Sequence, residues 1–301
     1  MKQKIPLSLQ QALIKALIYS DIFDYPLTLQ ELYLYLPHYS LPSCESLQQF
    51  NLKQIPEIDS QKGFYFLRGR EKLVALRHKR NQESQKKLQL ASRLIRPLKL
   101  IPWIWLIGVS GTVAANNAAA SDDIDLFLIT APGRLWLTRM GEKIINELLG
   151  QRRRPNFPPS DPNSCNKLCP NMYLAADNLT LPHRDLYTAR ELAQLKIIFQ
   201  RHQTHRHLYQ ANSWIKKFLP NWWQEKKKTN FPSLLQPLPS FNNPFFSLLE
   251  RLAAWGQLYY MARRRTREKI SSSLLMFHPQ DARKRILTLY QKRLQEYGIS
   301  L

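Results

Sequence analysis

Asp123 and Asp125 stand two positions apart at the head of an apolar run, "IDLFLIT", over residues 124–130. In extended backbone, side chains alternate between faces, so both carboxylates fall on the same one. Side by side they repel, and a divalent cation between them removes the repulsion. Mg²⁺ (or Mn²⁺) suits such a pair, because it is held by one or two carboxylates together with substrate phosphates. Upstream, a second apolar run, "WIWLIGVSG", ends in Ser110 and Gly111, followed by Thr112. Gly111 permits a tight turn whose N–H groups approach phosphate oxygens; Thr112 offers a hydroxyl, and Ser110 is the weaker candidate within the turn. Together these residues describe a site for a metal-bound nucleoside triphosphate, ATP included. Asp123 and Asp125 are its expected metal-binding pair, and Gly111, Thr112 and, more weakly, Ser110 are its expected nucleotide contacts. Paired aspartates also occur in solvated turns and helix caps; the apolar runs on both sides weigh against that reading here.

The same residues resemble the motif of nucleotidyltransferases of the DNA polymerase beta superfamily: Gly-Ser, a spacer of about ten residues, then Asp-x-Asp. Gly111-Thr112 takes the place of Gly-Ser. Ser121-Asp122-Asp123-Ile124-Asp125 matches the acidic end with one extra Asp, and Asn116 stands where many members carry a second Gly. The resemblance covers residues 100–177. It implies metal binding by Asp123 and Asp125, triphosphate contact at Gly111 and Thr112, and transfer of an NMP group from an NTP to a hydroxyl acceptor. Many members carry a third carboxylate on a later strand. Here the matching position is Asn171, whose amide brings no charge and is no base. Asp177 and Asp185 are the nearby substitutes, but Asp177 lies roughly 20 Å along the strand.

Other groups extend the site. Arg134 and Arg139 open a predicted helix over 134–150, and their charge could meet a triphosphate; the alternative for both is a solvated helix face. Around these residues the periodicity predicts strands at 103–111, 124–130 and 167–177 and a helix over 185–200. Toward the N-terminus, helices are predicted at 8–20, at 29–36 with Thr28 and Glu31 as a capping box, and near 43. The alternating "GFYFLRG" follows. This is a winged-helix pattern, although its third helix lacks Arg and Lys. A Lys- and Arg-rich helix over 71–96 connects it to the centre. The last hundred residues read as mostly helical. The amphipathic stretch 244–270 has the length to lie on an anionic membrane, but Glu250 and the central strands favour a bundle. The basic, Pro-rich stretch 151–164 reads as a mobile loop.

The chain carries 44 Lys and Arg against 22 Asp and Glu, a formal charge of +22. A field of that sign attracts polyanions. The excess sits in the flanks: residues 201–301 hold 18 basic and 5 acidic residues, whereas 105–200 hold 10 and 9. RNA is the expected polyanionic partner, through the basic faces of 68–99 and 263–269. Three cysteines make no disulfide framework, and the Cys165–Cys169 pair lacks partners for a zinc site. No run is long and apolar enough to span a membrane, and no signal-peptide pattern appears, so the expected location is cytoplasmic.

The expected architecture is α+β: a winged-helix-like domain (1–70), a connecting helix (71–99), a nucleotidyltransferase-type mixed sheet with helices (100–200) and a basic helical C-terminal domain (201–301). The expected function is metal-dependent nucleotidyl transfer, with RNA or another hydroxyl acceptor. The alternative is a catalytically inactive nucleotide-sensing or nucleic-acid-binding regulatory protein. The sequence does not set the oligomeric state.

Overall fold

The structure is a computed structural model that describes residues 5–153, 161, 163–230, 236–240, 243–262, 269–277 and 282–300. Much of the Pro-rich stretch near 151–164 and the basic cluster at 263–268 lie outside the described residues.

Thr28 begins the second helix as its spacing requires. Its hydroxyl accepts the Glu31 N–H at 3.2 Å, and the Glu31 carboxylate accepts the Thr28 N–H at 2.9 Å. Each bond satisfies a helix-end donor that would otherwise lack a partner. The N-terminal order is α1 (Leu7–Asp21), β1 (Leu27–Thr28), α2 (Leu29–Leu34), α3 (Cys44–Gln48), β2 (Ile58–Gln61) and β3 (Phe64–Leu67). The three strands form one antiparallel sheet, β1-β3-β2. The long helix α4 (Leu73–Leu94) follows and stops ahead of Pro97.

A mixed six-stranded sheet forms the centre, making the chain α+β. Its strands are β4 (Ile104–Val109), β5 (Ile124–Thr130), β6 (Leu168–Ala175), β7 (Lys196–Gln200), β8 (Lys269–Ile270) and β9 (Leu274–Met276), in the order β7-β4-β5-β6-β9-β8. β5 and β6 run parallel and the other neighbours antiparallel. Every residue of β4 is buried. Ile124, Leu126 and Leu128 of β5 are fully buried on one face. Phe127 and Ile129 point to the other face, into the cluster built by α1 and α7. Each such buried aliphatic side chain contributes roughly 1.5–3 kcal/mol.

Two expectations change. The helix predicted over 185–200 ends early: α7 covers Leu186–Gln194, Leu195 turns extended with ψ 122°, and Lys196–Gln200 becomes the edge strand β7. The β-branched pair Ile197-Ile198 favours that outcome. The last hundred residues also contain strand. β9 pairs with β6, so a segment beyond 270 completes the central sheet.

The remaining helices are α5 (Gly111–Ala114), α6 (Leu135–Leu148), α8 (Thr204–Ala211), α9 (Pro220–Asn230), α10 (Pro244–Ala262) and α11 (Ala282–Glu296). Those of residues 201–301 pack in several places. Buried Asn221 of α9 accepts from the Leu41 N–H and donates to the Tyr33 carbonyl, both at 2.8 Å, which fastens α9 to the N-terminal helices. Glu250 of α10 accepts the Trp136 and Leu137 N–H groups at 2.7 and 2.9 Å, capping α6 from another helix. α11 lies against α1, with the Tyr290 ring 5.4 Å from that of Tyr19 and Arg293 paired with Asp21.

Candidate active site

β4 delivers the chain to Ser110, whose N–H donates to the Asp125 carbonyl at 3.0 Å. Gly111 then turns with φ +63°, a conformation that L side chains rarely adopt. A Cβ at this position would lie 2.5 Å from Asp125 Oδ2, so the carboxylate occupies the space that glycine leaves. The expected adjacency of Gly111 and Asp125 is therefore direct contact.

Asp125 lies on the same side of β5 as Phe127, and Asp123 immediately precedes the strand. The neighbouring strand brings Cys169 opposite Asp125. Register then slips: Leu126 pairs with Pro170 but Phe127 pairs with Met172, leaving Asn171 as the extra residue of a bulge. Bulges re-aim side chains, and this one places Asn171 Nδ2 2.8 Å from Asp125 Oδ1 as a donor. The position expected to hold a third carboxylate thus holds an amide bonded to the second.

Burial pushes the Asp125 carboxyl up to about 7, with the charges of Asp123 and Glu191 adding to it, while Arg153 and the Asn171 bond oppose the shift. Burial also raises Asp123, against the pull of Arg153. The Cys169 thiol is pushed up to about 12 by burial and then by the two aspartates, so it is no thiolate at neutral pH. Donor atoms of Asp123, Asp125 and Cys169 all lie within 4.8 Å of one another. Arg153 Nε approaches Asp123 Oδ2 at 3.0 Å, yet neither buried atom makes an aligned hydrogen bond. A carboxylate oxygen that is ion-paired but not hydrogen-bonded, beside a second buried carboxylate, fits a hard divalent cation such as Mg²⁺. The protonated thiol is a poor ligand for it.

Asp122 has a different task. It accepts from the Thr112 hydroxyl at 2.7 Å and from the Ala119 N–H at 3.0 Å, closing the small-residue spacer on itself. The Thr112 proton is thereby committed, and its oxygen remains an acceptor. Asn116 adopts φ +57°, the left-handed region that Gly would otherwise supply.

A polar stripe of α4 holds this spacer. Arg77 donates to the Asn116 carbonyl at 2.9 Å, Arg80 to the Asn117 side chain at 3.2 Å, and the Ser84 hydroxyl accepts the Ala118 N–H at 2.9 Å. Lys87 Nζ reaches three oxygens: the Ala120 carbonyl at 2.9 Å, and the Asp122 carbonyl and Asn166 Oδ1 at 2.7 Å. Positions 77, 80, 84 and 87 fall on one helix face. Arg77 and Lys87, expected on a basic face open to nucleic acid, are buried. Their signal in the sequence was the three–four–three spacing of polar residues on an otherwise solvated helix.

Arg134 and Arg139 are not brought to the aspartate pair. Arg134 is buried, donating to the Gly133 and Asn243 carbonyls. Arg139 donates to Gln257 at 2.5 Å and lies 4.5 Å over the Phe277 ring. Both belong to the packing of α6 on α10.

A cavity of about 740 Å³ opens over the site, lined by Ser110, Gly111, Thr112, Asp125 and Asn171, with Tyr19, Tyr187 and Glu191 among the facing residues. A volume of that order is typical of small-ligand sites. Glu191, which the sequence places only near the start of the helix predicted over 185–200, also lines this space. Among the described residues no donor bonds it, and burial lifts it to about 7, with Arg190 pulling the other way. Only α7's tertiary placement makes Glu191 part of the site.

No family model matches the chain, and neither a curated protein nor a solved structure matches it. No helix among the described residues is long and apolar enough to cross a membrane.

Proposed function

We propose that the chain is a metal-dependent nucleotidyltransferase that moves an NMP group from an NTP to a hydroxyl acceptor. The observation that carries this reading is the Asp123–Asp125 pair at the head of β5, its donor atoms within 4.8 Å, with Asp125 seated against the Gly111 turn on the wall of the cavity. Asp123 and Asp125 would hold Mg²⁺ or Mn²⁺. Such an ion, when bound, neutralises phosphate charge and stabilises the attacking and leaving oxygens of an in-line displacement.

The chain's own groups account for the rest. The backbone N–H groups of the turn at Gly111 and Thr112 orient the triphosphate, while the Thr112 hydroxyl stays bonded to Asp122. The acceptor hydroxyl attacks the α-phosphorus, the bond to the β-phosphate oxygen breaks, and pyrophosphate leaves with that electron pair. Glu191 faces the same cavity and takes the acceptor proton, the role an amide at Asn171 cannot fill. The N-terminal helices and their three-stranded sheet are read as a winged-helix-like unit. A polyanionic acceptor such as RNA is supported by α4. Lys72, Lys79, Lys86 and Arg93 remain exposed at seven-residue intervals, steps of about 10 Å along one face. The proposed location is cytoplasmic.

A second reading, a nucleotide sensor without turnover, is favoured by Asn171 on Asp125 and Arg153 beside Asp123. One assay separates the two. Protein is incubated with Mg²⁺ or Mn²⁺, each α-labelled NTP and total cellular RNA, with Asp123→Asn/Asp125→Asn as control. Label transferred by the wild type and lost in the control supports the enzyme. Calorimetric NTP binding with no label transferred supports the sensor.

A further inference from the structure

Helix α10 is apolar on nearly every side, and such a helix is normally buried. Its inward side is fixed. Glu250 caps α6, Gln257 accepts from Arg139, and Ala253 and Met261 are buried. That docking leaves Phe245, Leu248, Leu252, Trp255 and Tyr259 facing outward, 56–71% exposed. Their spacing of three and four residues gathers them into one stripe along the helix. Tyr260 flanks it at 59% exposure, and the rings of Trp255 and Tyr259 stack at 6.0 Å. Fully exposed aromatics present 150–250 Å² each, so the stripe offers roughly 600 Å² of apolar surface, at or beyond the largest patch of a typical monomer.

Charge selects the occupant. The chain carries +22, so a second copy brings like charge to the same face. Exposed Arg251 lies beside the stripe, and the sequence continues after α10 with Arg263, Arg264, Arg265, Arg267 and Lys269. Trp and Tyr are the residues enriched where hydrocarbon meets headgroups. Basic residues next to an apolar helix face are drawn to anionic lipids. We propose that the outward face of α10 docks in the plane of an anionic membrane surface. Phe245, Leu248, Leu252, Trp255 and Tyr259 enter the headgroup boundary, and exposed Arg251 beside them meets lipid phosphates. This proposal is independent of the chemistry assigned to Asp123 and Asp125.

The test is co-sedimentation of the full chain with vesicles of phosphatidylcholine mixed with phosphatidylserine, against phosphatidylcholine alone. A Leu252→Ser/Trp255→Ser variant is measured in parallel. Both positions are exposed, so circular dichroism melting should match the wild type and certify the variant's fold. The expected result is binding to the anionic vesicles, weakened by added salt and reduced about tenfold or more in the variant. Absence of binding to anionic vesicles overturns the proposal, as does binding that the double substitution leaves unchanged. Sedimentation equilibrium supplies the other decisive outcome. A wild-type dimer that the variant converts to monomer makes the stripe a self-association face and overturns membrane docking.

Discussion

Asp125 Oδ2 lies 2.5 Å from the point where a side chain on residue 111 would begin, so the carboxylate and Gly111 are fitted to each other. Gly111→Ala adds a Cβ at that point to a backbone held at φ +63°. Clash and strain together are expected to cost about 2–4 kcal/mol of stability. Urea denaturation measures this, and NTP affinity should fall with it. A variant as stable as the wild type would show that Asp125 does not need this contact.

Asp123→Asn and Asp125→Asn each remove a charge from a buried, mutually repelling pair. The fold is expected to survive, while metal-dependent transfer falls about 10²–10³-fold. Isothermal calorimetry with Mg²⁺ and NTP should report weaker binding alongside an unchanged circular dichroism spectrum. Full transfer activity in the double variant would remove these residues from the chemistry.

Glu191 titrates near 7 when folded, against an ordinary value of 4.5. Between those values the folded chain holds a proton that the unfolded chain has released, so stability falls as pH rises through this window and is level above it. The full loss is on the order of 3 kcal/mol. Glu191→Gln should flatten that part of the stability–pH curve. In the proposed role of proton acceptor, Glu191 should also give a transfer rate that climbs with pH through about 7. Glu191→Gln is expected to lower kcat about 10²–10⁴-fold and leave NTP affinity in place. An unchanged pH–rate profile in the variant would leave Glu191 with a packing role.

Lys87 is nearly fully buried and donates to three oxygens. Lys87→Met leaves those acceptors unsatisfied at an expected cost of about 2–4 kcal/mol. Hydrogen exchange should show faster opening across residues 116–122 than elsewhere, because Lys87 ties the Ala120 and Asp122 carbonyls of that spacer to α4.

The aspartate pair and the Gly111 turn were legible because their chemistry is local: alternation along one strand and a glycine at one turn. Arg134 and Arg139 were not, because the direction a helix face points is a tertiary property. α6 is turned toward α10 by bonds to Glu250, whose partner Trp136 lies 114 positions earlier. Glu191 was hidden for the same reason. Its place in the cavity depends on how α7 lies over β5. β9 escaped notice because Leu274–Met276 has little intrinsic strand preference and becomes a strand through pairing with the open edge of β6. The capping box at Thr28 and the stop of α4 before Pro97 were legible because they are set within a few residues.

The cavity is walled by residues as distant in sequence as Tyr19 on α1 and Arg283 on α11, with Asp125 and Glu191 between them. A chain emerging from the ribosome has its aspartates and the strands around them long before α11 exists to close the space. The edge of β6 likewise stays open until β9 arrives. Nascent protein therefore passes through a period with an unpaired strand edge and an incomplete chamber, when it is exposed to wrong pairings and unable to hold ligand. The order of synthesis thus leaves the cavity without one of its walls until α11 has docked.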